Sequence, residues 1–491
     1  MKKYAAIAAL AVLVGAASYS LLSRNQSASE QAISLRLESF ALSLTPSKLA
    51  DTESRRVATL LHLGLIRVDQ DGTVHPGVAE RWERSGSVHR FSLKQNKTFN
   101  DGTPITPEDV TASLCQAMQP ASLYSWSLAS IKHEVSPGSK EVKCTGIRAV
   151  GPSIEVEESA PAPWLLEALS GPAGWVVKKG AVPAEYGNVP GAGAFRLAEV
   201  RPDSRVVLQS RAGAPLPARA ETIVFNYVPD DAIAATKFKS GELNVLELNS
   251  PNLIKSLDID RNEADAYLKS ATTDKLRVLI VGEEQLAKKG LNSQQIATFK
   301  RALSSAIDRR KVASISLGLA NPHTAPYIVD GTTIDPSTAV DVSQLPKMKL
   351  TIISESDAFS DLIAATLPKE IGAIEIDYKG VDKGLLISSL VKHDFDLASV
   401  VIEATLKAPV FWTSFFNPAS PFVAFGKPLP GTEAASPMDT QKLRETLARI
   451  RDEGNWIGVV RENKLVLNSK NVTGLRLSPA GQTSYEEIGL K

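Results

Sequence analysis

Residues Thr98–Leu114 read TFNDGTPITPEDVTASL, and this stretch predicts a strand end, a tight turn and a capped helix in direct succession. The Asn-Asp-Gly at 100–102 is a turn signal, because Asp tolerates bending and Gly accepts a positive φ. Thr106 is placed to cap a helix whose first residue is a proline and whose first turn carries two carboxylates. We therefore predict a helix over about Pro107–Met118, with a structural rather than a catalytic role.

The composition is that of a large, nearly neutral globular protein. Its 491 residues are enough for two or three domains with sizeable cores. Fifty-five basic residues balance 54 acidic ones, which gives a net charge of +1. Because a surface without basic excess does not attract polyanions, nucleic acid is not expected as a partner.

The first residues have the pattern of an export signal. Lys2 and Lys3 precede an almost continuous apolar run over Ala5–Leu22, and Arg24 follows it. The run of about 18 residues lies between the length of a cleaved signal and that of a membrane span of about 20. Cleavage after Ser20 and retention as an N-terminal membrane anchor are both open. No cysteine directly follows the run, which excludes a lipoprotein anchor, so we expect a periplasmic or otherwise extracytoplasmic protein.

The chain contains two cysteines, Cys115 and Cys144. In an oxidising compartment they could form one disulfide, worth about 3 to 4 kcal/mol. Two thiols without nearby histidines make a poor zinc site, because zinc takes three or four protein ligands. We expect neither a metal nor a cofactor.

Motifs of catalysis are missing from the sequence. None of the six histidines has a partner at the spacing of a helical zinc site, and there is no GxSxG elbow. GAGAF at 191–195 lacks the Lys-Ser/Thr of a phosphate loop and precedes a strand pattern. We expect a protein that is not an enzyme, although sequence alone does not exclude a carboxylate pair of the glycosidase type.

The second half of the chain alternates strand and helix patterns, which favours an α/β fold with a partly parallel sheet. The predicted elements that matter below are a hairpin over Phe195–Gln209, a helix over Asp231–Lys239, a strand over Arg277–Val281, a helix over Ser293–Arg310, a strand over Phe395–Ile402 and a helix over Ser436–Glu453.

Four segments, taken in order, resemble the large peptide/nickel-binding family of extracytoplasmic solute-binding proteins of ABC importers, family 5. HLGLIRVDQDGTVHPGVAERW and the continuation to residue 114 are similar to its Gly-Leu, Ala-Glu-x-Trp and DGTP-T-x-DV signature. PGAGAFRLAEVRPDSRVVLQSR at 190–211 resembles its GTGPY hairpin. IVFNYVPDDAIAATKFKSGELNV at 223–245 and FKRALSSAIDRRKVASISLGLANPHTAP at 299–326 are similar to its later motifs.

The resemblance implies a two-lobed, type II-like periplasmic-binding-protein fold with a hinge and a small extra domain in the first lobe. Chain crossings are expected near Asn226–Asp230 and Leu465–Leu475. The implied division is a signal or anchor at 1–26, lobe I at 27–70, the small inserted domain at 71–145, lobe I again at 146–229, lobe II at 230–465 and a return to lobe I at 466–491.

The C-terminal half departs from the family pattern where peptide binders place an acid for the ligand's amino terminus. Here the sequence is FDLASVVIEATLKAPVFWTSFFNP, in which Lys407 and Ala408 replace the acidic pair. Glu403 is the nearest remaining carboxylate, and we predict that it forms a salt bridge with a ligand amine. The other candidate ligand-binding residues are Trp412, Asp396 and Lys407.

The resemblance implies capture of a peptide or other small solute and its delivery to an inner-membrane ABC permease. A non-transport binding or scaffold module with altered or lost ligand specificity is the alternative. Membrane contact is expected only through the N-terminal segment.

Overall fold

A large mixed sheet runs through the middle of the protein. The computed structural model describes residues 32–40, 42–49, 51–69, 71–135, 141–258, 268–328, 340–407, 409–417, 425–430, 440–477 and 480–491. In these ranges the sheet has 12 strands. The predicted signal or anchor at 1–26 and the predicted helix start at Ser436 lie outside the described residues.

The strands of this sheet come from the whole length of the chain. In spatial order they are β10 (Phe195–Arg201), β11 (Arg205–Ser210), β12 (Thr222–Tyr227), β1 (Ala32–Leu37), β13 (Val245–Leu248), β20 (Trp456–Asn468), β14 (Leu268–Val281), β19 (Leu397–Glu403), β16 (Met348–Glu355), β18 (Ile374–Val381) and β17 (Glu370–Ile371), with β15 (Ala320–Pro322) paired to β20.

Smaller sheets lie beside it. One has four strands in the order β4 (Ala79–Ser85), β5 (Val88–Leu93), β9 (Ser153–Glu157) and β8 (Ile147–Val150). The two-stranded pairs are β2 (Ile66–Val68) with β3 (Val74–Pro76), β6 (Glu134–Val135) with β7 (Val142–Lys143), β21 (Val472–Thr473) with β24 (Gly489–Leu490), and β22 (Arg476–Leu477) with β23 (Thr483–Ser484).

The helices are mostly short. They are α1 (Thr52–Leu61), α2 (Pro107–Ala117), α3 (Leu165–Ser170), α4 (Asp231–Lys239), α5 (Pro251–Leu257), α6 (Glu283–Lys288), α7 (Ser293–Ala306), α8 (Arg309–Ile315), α9 (Ala358–Ala364), α10 (Lys383–Val391), α11 (Pro409–Ser414) and α12 (Thr440–Glu453), with 3-10 turns at Pro46–Lys48, Ser125–Leu128, Pro172–Gly174 and Glu185–Gly187. Within the described ranges, none of them is both long and apolar enough to cross a bilayer.

The stretch quoted first has the structure that it predicts. Gly102 occupies the turn with φ of 85°, a conformation that glycine adopts without a Cβ clash. Thr106 and Asp109 form a capping box, in which each side chain accepts a backbone N–H of the other residue. Helix α2 then buries Val110 and Leu114 next to the four-stranded sheet. The predicted turn and helix cap are confirmed.

Two long strands, β14 and β20, link two groups of strands, and we call them the linking strands. The first strand group is β10, β11, β12, β1 and β13, and it joins β20. The second strand group is β19, β16, β18 and β17, and it joins β14. Strand β1 is parallel to β12 and β13, and β16 is parallel to β18 and β19, so the predicted partly parallel sheet is confirmed.

Two predicted elements differ from the structure for clear reasons. The helix predicted over Ser293–Arg310 ends at Ala306, because Asp308 caps a new helix by accepting the N–H of Lys311 at 3.0 Å. The strand predicted over Arg277–Val281 begins nine residues earlier, at Leu268. Its first part is polar and therefore has no apolar alternation to indicate a strand.

Candidate ligand site at the linking strands

The linking strands bring oppositely charged side chains into one row. Lys275 on β14 lies directly opposite Glu403 on β19 and, on the other side, opposite Glu462 on β20. Residues directly opposite each other on neighbouring strands project from the same face of a sheet. The three side chains therefore lie side by side on one face.

This row extends into a larger cluster that we call the charged ladder. Its members are Glu247, Lys275, Arg277, Glu403, Glu462 and Lys464. The Lys275 Nζ lies 2.9 Å from Glu462, and the Arg277 Nη2 lies 2.9 Å from the other oxygen of that carboxylate. The Lys464 Nζ lies 2.8 Å from Glu247. The ladder is mostly closed to solvent, and Lys275, at 30% side-chain exposure, is its most open member.

Helix α1 covers the ladder and adds two arginines. The Arg55 Nη2 lies 2.6 Å from a Glu403 oxygen that also accepts the Thr52 hydroxyl at 2.7 Å. The Arg56 Nε lies 3.3 Å from Glu247. Glu403 lies on β19 and Glu247 on β13, which flank the two linking strands on opposite sides. The two ion pairs therefore hold α1 across both linking strands.

Local sequence explains why α1 directs arginines inward. Asp51 caps the helix by accepting the Ser54 N–H at 2.8 Å, which sets its start. Val57, Leu60 and Leu61 are buried, and so are Arg55 and Arg56, so most of the helix surface is packed against the protein. The long arginine side chains therefore reach the carboxylates of the ladder while their stems remain packed.

The electrostatics of the ladder depend on how many cations each carboxylate meets. Burial alone would raise the pKa of Glu403, but Arg55 above all, then Lys464 and Lys275, lower it to about 2. Burial is likewise outweighed at Glu247, where Arg56 and Lys464 hold the pKa well below its ordinary value. These carboxylates are charged at any physiological pH.

A second carboxylate at the contact between the two halves of the chain is Glu167 in α3. The Glu167 Oε1 accepts the backbone N–H of Lys407 at 2.6 Å. Burial raises the pKa of Glu167 to about 7, and nearby Asp274 adds to this rise, against the opposing effects of the N–H and the charge of Lys407. Among the described residues no cation forms a salt bridge with Glu167.

The predicted ligand residues do not all come together. Asp396 precedes β19 and Glu403 ends it, so they lie about 23 Å apart at the strand rise of 3.3 Å. Asp396 forms a salt bridge with Lys289 at 2.6 Å and accepts the Thr351 N–H at 3.0 Å. Lys407 follows Glu403 by four positions and contacts α3 through its backbone N–H. Lys407 is exposed.

Trp412 is 1% exposed and lies in the hydrophobic core, where its ring makes an edge-on contact with Phe411 at 5.0 Å between centroids. Phe411 in turn contacts Trp126, of the first half of the chain, at 5.6 Å. This aromatic cluster therefore joins the two halves beside the ladder.

The two cysteines are bonded to each other. The disulfide ties helix α2, which contains Cys115, to Cys144 at the end of β7. It lies within the segment predicted as the small inserted domain. In the part of the chain that the structure describes, no group of three or more His, Cys, Asp or Glu side chains is placed to hold a metal ion.

Comparison with known proteins places the chain in a family. The family described as "Bacterial extracellular solute-binding proteins, family 5 Middle" matches residues 73–340, which is more than half of the chain. The chain belongs to this family. The family 5 resemblance that the motifs predict is confirmed, and membership agrees with an extracytoplasmic location.

Relatives of this family 5 protein are distant. It is 26% identical to the periplasmic oligopeptide-binding protein OppA of Escherichia coli over 246 residues, 46% of this chain and 45% of that protein. It is 24% identical to the E. coli murein peptide-binding protein MppA, over 70% of this chain and 66% of MppA. The chain thus spans about half the length of OppA.

Solved structures share its fold at low identity. Haemophilus influenzae OppA, in complex with RPPGFSPFR, superposes with a TM-score of 0.78 at 15% identity, covering 94% of this chain and 99% of that one. E. coli MppA gives a TM-score of 0.75 at 16% identity, covering 94% and 98%. The predicted type II periplasmic-binding-protein fold is therefore confirmed.

Sequence reasoning missed most of the site. It identified Glu403 and Lys407 but not Arg55, Lys275 or Glu462. A signal existed in the spacing of charges: 275 and 277, and again 462 and 464, are charged residues two positions apart. That spacing places both members of each pair on one strand face.

Proposed function

We propose that this family 5 protein captures a peptide-like solute between its two strand groups and delivers it to an ABC-type permease of the inner membrane. The observation that carries the proposal is the charged ladder, which lies where the two groups join and where α1 crosses to Glu403. Structural relatives support a peptide ligand: one OppA was solved in complex with RPPGFSPFR, and PrgZ is a pheromone receptor that binds peptide.

For the site, we propose that Glu403 and Lys407 contact the solute directly and that Trp412 supports them from the core. A solute that also contacted Asp396 would have to span the length of β19, about 23 Å. Our proposal for Glu403 is a salt bridge to a ligand amine. Glu403→Gln should then lower the affinity for a peptide, and an unchanged affinity would remove that role.

We further propose that lobe closure pivots about the linking strands. Opening or closing two lobes requires a few segments that absorb backbone changes. The two register shifts between β14 and β20, at Thr272/Lys275 and Arg277/Val278, support this part of the proposal. The lobe boundaries given above, with lobe II at 230–465, stay predictions.

The N-terminal segment would direct this protein out of the cytoplasm and, if uncleaved, anchor it at the membrane. The intact mass of the protein purified from cells separates the two outcomes, since cleavage after Ser20 removes the apolar run. A mass that includes Lys2 and Lys3 would support the anchor.

The experiment that tests the main proposal is native mass spectrometry of protein purified without refolding, followed by denaturation to identify what is released. Release of short peptides is the expected result. Release of a single non-peptide compound would keep solute capture and replace the peptide. Protein that stays bare after peptides are added would contradict the proposal.

A second candidate is a binding or scaffold module that no longer transports. The observation that favours it is the direct contact of the two halves: Lys407 donates to Glu167 at 2.6 Å, the Trp126 and Phe411 rings meet, and Leu406 is 2% exposed. Bare protein in the experiment above, together with co-purification of a partner protein that survives gel filtration, would support this candidate.

A further inference from the structure

The carboxylates of the charged ladder are already engaged. Glu403 holds Arg55 and accepts the Thr52 hydroxyl, and its side chain is 10% exposed. Glu462 holds two cations and is 4% exposed. Glu247 holds Lys464 and Arg56, accepts the Tyr485 hydroxyl at 2.6 Å, and is 10% exposed. None of these three offers a free, open carboxylate to an incoming group.

The remaining acids near the ladder offer little more. Asp51 is used as the cap of α1. Burial raises the pKa of Glu53 to about 7, against the charge of Arg56, so it is only partly ionised at neutral pH. Asp274 forms a salt bridge with Arg461 at 2.7 Å. Glu167 is partly neutral for the same reason as Glu53.

What the ladder presents is positive charge. Lys275 is its most exposed side chain, at 30%, and among the described residues its ammonium forms a salt bridge with Glu462 alone. Lys407, four residues beyond Glu403, is exposed. Under helix α1, the Arg56 Nη2 is buried and has no hydrogen-bond acceptor among the described residues. Lys275, Lys407 and Arg56 thus have donor capacity that no group in the described part of the chain fills.

We propose that the ladder binds a negatively charged group of the solute, a carboxylate such as the C-terminus of a peptide, through Lys275 assisted by Lys407. This inference rests on the proposed solute capture and names the chemistry of one end of the ligand. An ammonium placed here would meet Arg55, Lys275 and Lys464 and would be repelled. This arrangement is the alternative to the salt bridge between Glu403 and a ligand amine proposed above. In it Glu403 is a positioning residue that holds Arg55, and the ligand amine lies elsewhere.

The test compares trialanine with its C-terminal amide and its N-acetyl form, by calorimetry on the full-length protein. Wild-type protein should bind the amide at least about tenfold more weakly than trialanine, because the neutral amide cannot form a charge-assisted hydrogen bond with Lys275. Lys275→Gln should lose this discrimination and Lys275→Arg should keep it. Lys289→Gln is the matched control, because Lys289 is a cation at the far end of β19.

Each alternative outcome has a distinct meaning. If N-acetylation rather than amidation weakens binding tenfold, the group bound is an amine and the inference is wrong, while peptide capture stands. If Lys275→Gln unfolds at the same urea concentration as wild type yet discriminates equally well, Lys275 is not the site and the inference is wrong.

If no peptide binds to wild-type protein, succinate is the second probe. Thermal stabilisation of the wild type but not of Lys275→Gln by succinate would support the anion site and count against peptide capture. Absence of any succinate effect would overturn the inference together with the proposed function.

Discussion

Glu403 and Glu167 both lie where the two halves of the molecule meet, yet their surroundings are opposite. Glu403 faces Arg55, Lys464 and Lys275, and its pKa falls to about 2. Glu167 accepts a backbone N–H and has no salt bridge in the described part of the chain, and its pKa rises to about 7. Burial alone would raise the pKa of both carboxyls. The number of neighbouring cations therefore decides whether the net pKa shift is downward or upward.

The same interface therefore responds to pH in two directions. Acid weakens the contact at Glu403, whereas base weakens the fold at Glu167, because each carboxyl is driven into the protonation state that its surroundings disfavour. Variants at the two carboxyls separate the two responses.

The largest expected effect is the loss of the cation at Glu403. Arg55→Met should lower the free energy of unfolding by about 3 to 5 kcal/mol, because it leaves a buried carboxylate without its partner. Urea unfolding at pH 7 measures the change. The double variant Arg55→Met/Glu403→Gln should recover part of the loss, since no charge is then stranded. A loss below about 1 kcal/mol in the single variant would contradict this account of the pair.

Acid should weaken the same contact. The pKa of Glu403 is lower in the folded protein, at about 2, than its ordinary value of 4.5. Its stabilising contribution is therefore complete above pH 4.5 and is lost as the pH falls toward 2, with a total of about 3 kcal/mol. Urea unfolding of wild type and Glu403→Gln from pH 7 to pH 3 should show a stability difference that shrinks with acid. A constant difference would count against the low pKa.

At Glu167 the sign is reversed. Its folded pKa, about 7, lies above the ordinary 4.5, so the contribution of Glu167 is full below pH 4.5 and is lost as the pH rises through 7. Because the side chain is half-buried, we expect only about 1 to 2 kcal/mol. Glu167→Gln, which stays neutral, should gain stability relative to wild type between pH 5 and 8, as measured by thermal unfolding. A gain that does not depend on pH would contradict the raised pKa.

The smallest effect is expected at the far end of β19. Lys289 pairs with Asp396 at 2.6 Å, but the Lys289 side chain is 42% exposed. Lys289→Gln should therefore cost less than about 1 kcal/mol, as exposed ion pairs do. Urea unfolding of Lys289→Gln and of Arg55→Met under the same conditions compares the exposed Lys289–Asp396 pair with the buried Arg55–Glu403 pair at the two ends of β19. Equal costs would mean that exposure is not what separates the two sites.

The fold was largely predictable because local signals are strong. Thr106 and Asp109 specify a helix start by short-range chemistry, and a largely apolar run indicated the buried strand that became β19. Strand β20 was not predicted, because the polar run at 461–464 interrupts its apolar pattern. Glu462 of this run is buried because it pairs with Lys275 and Arg277 of β14, which no local window contains.

The site was less predictable for the same reason. Glu403 was identified from its position in a family-like stretch, but its partner Arg55 precedes it by 348 residues. The charge of a lone glutamate in sequence suggests a free ligand group, whereas the folded chain supplies it with a cation. The register of β14 against β20 reveals the cations that occupy Glu462, and the packing of α1 reveals the cation that occupies Glu403.

The position of β20 has a consequence for synthesis. This strand follows every other strand of the main sheet in sequence, yet it lies between β13 and β14 near the middle of the sheet. A chain still being made therefore exposes two unpaired strand edges until β20 arrives, and such edges invite pairing with other chains. Chaperones that hold the nascent protein would have to cover these edges until the last long strand inserts and closes the gap.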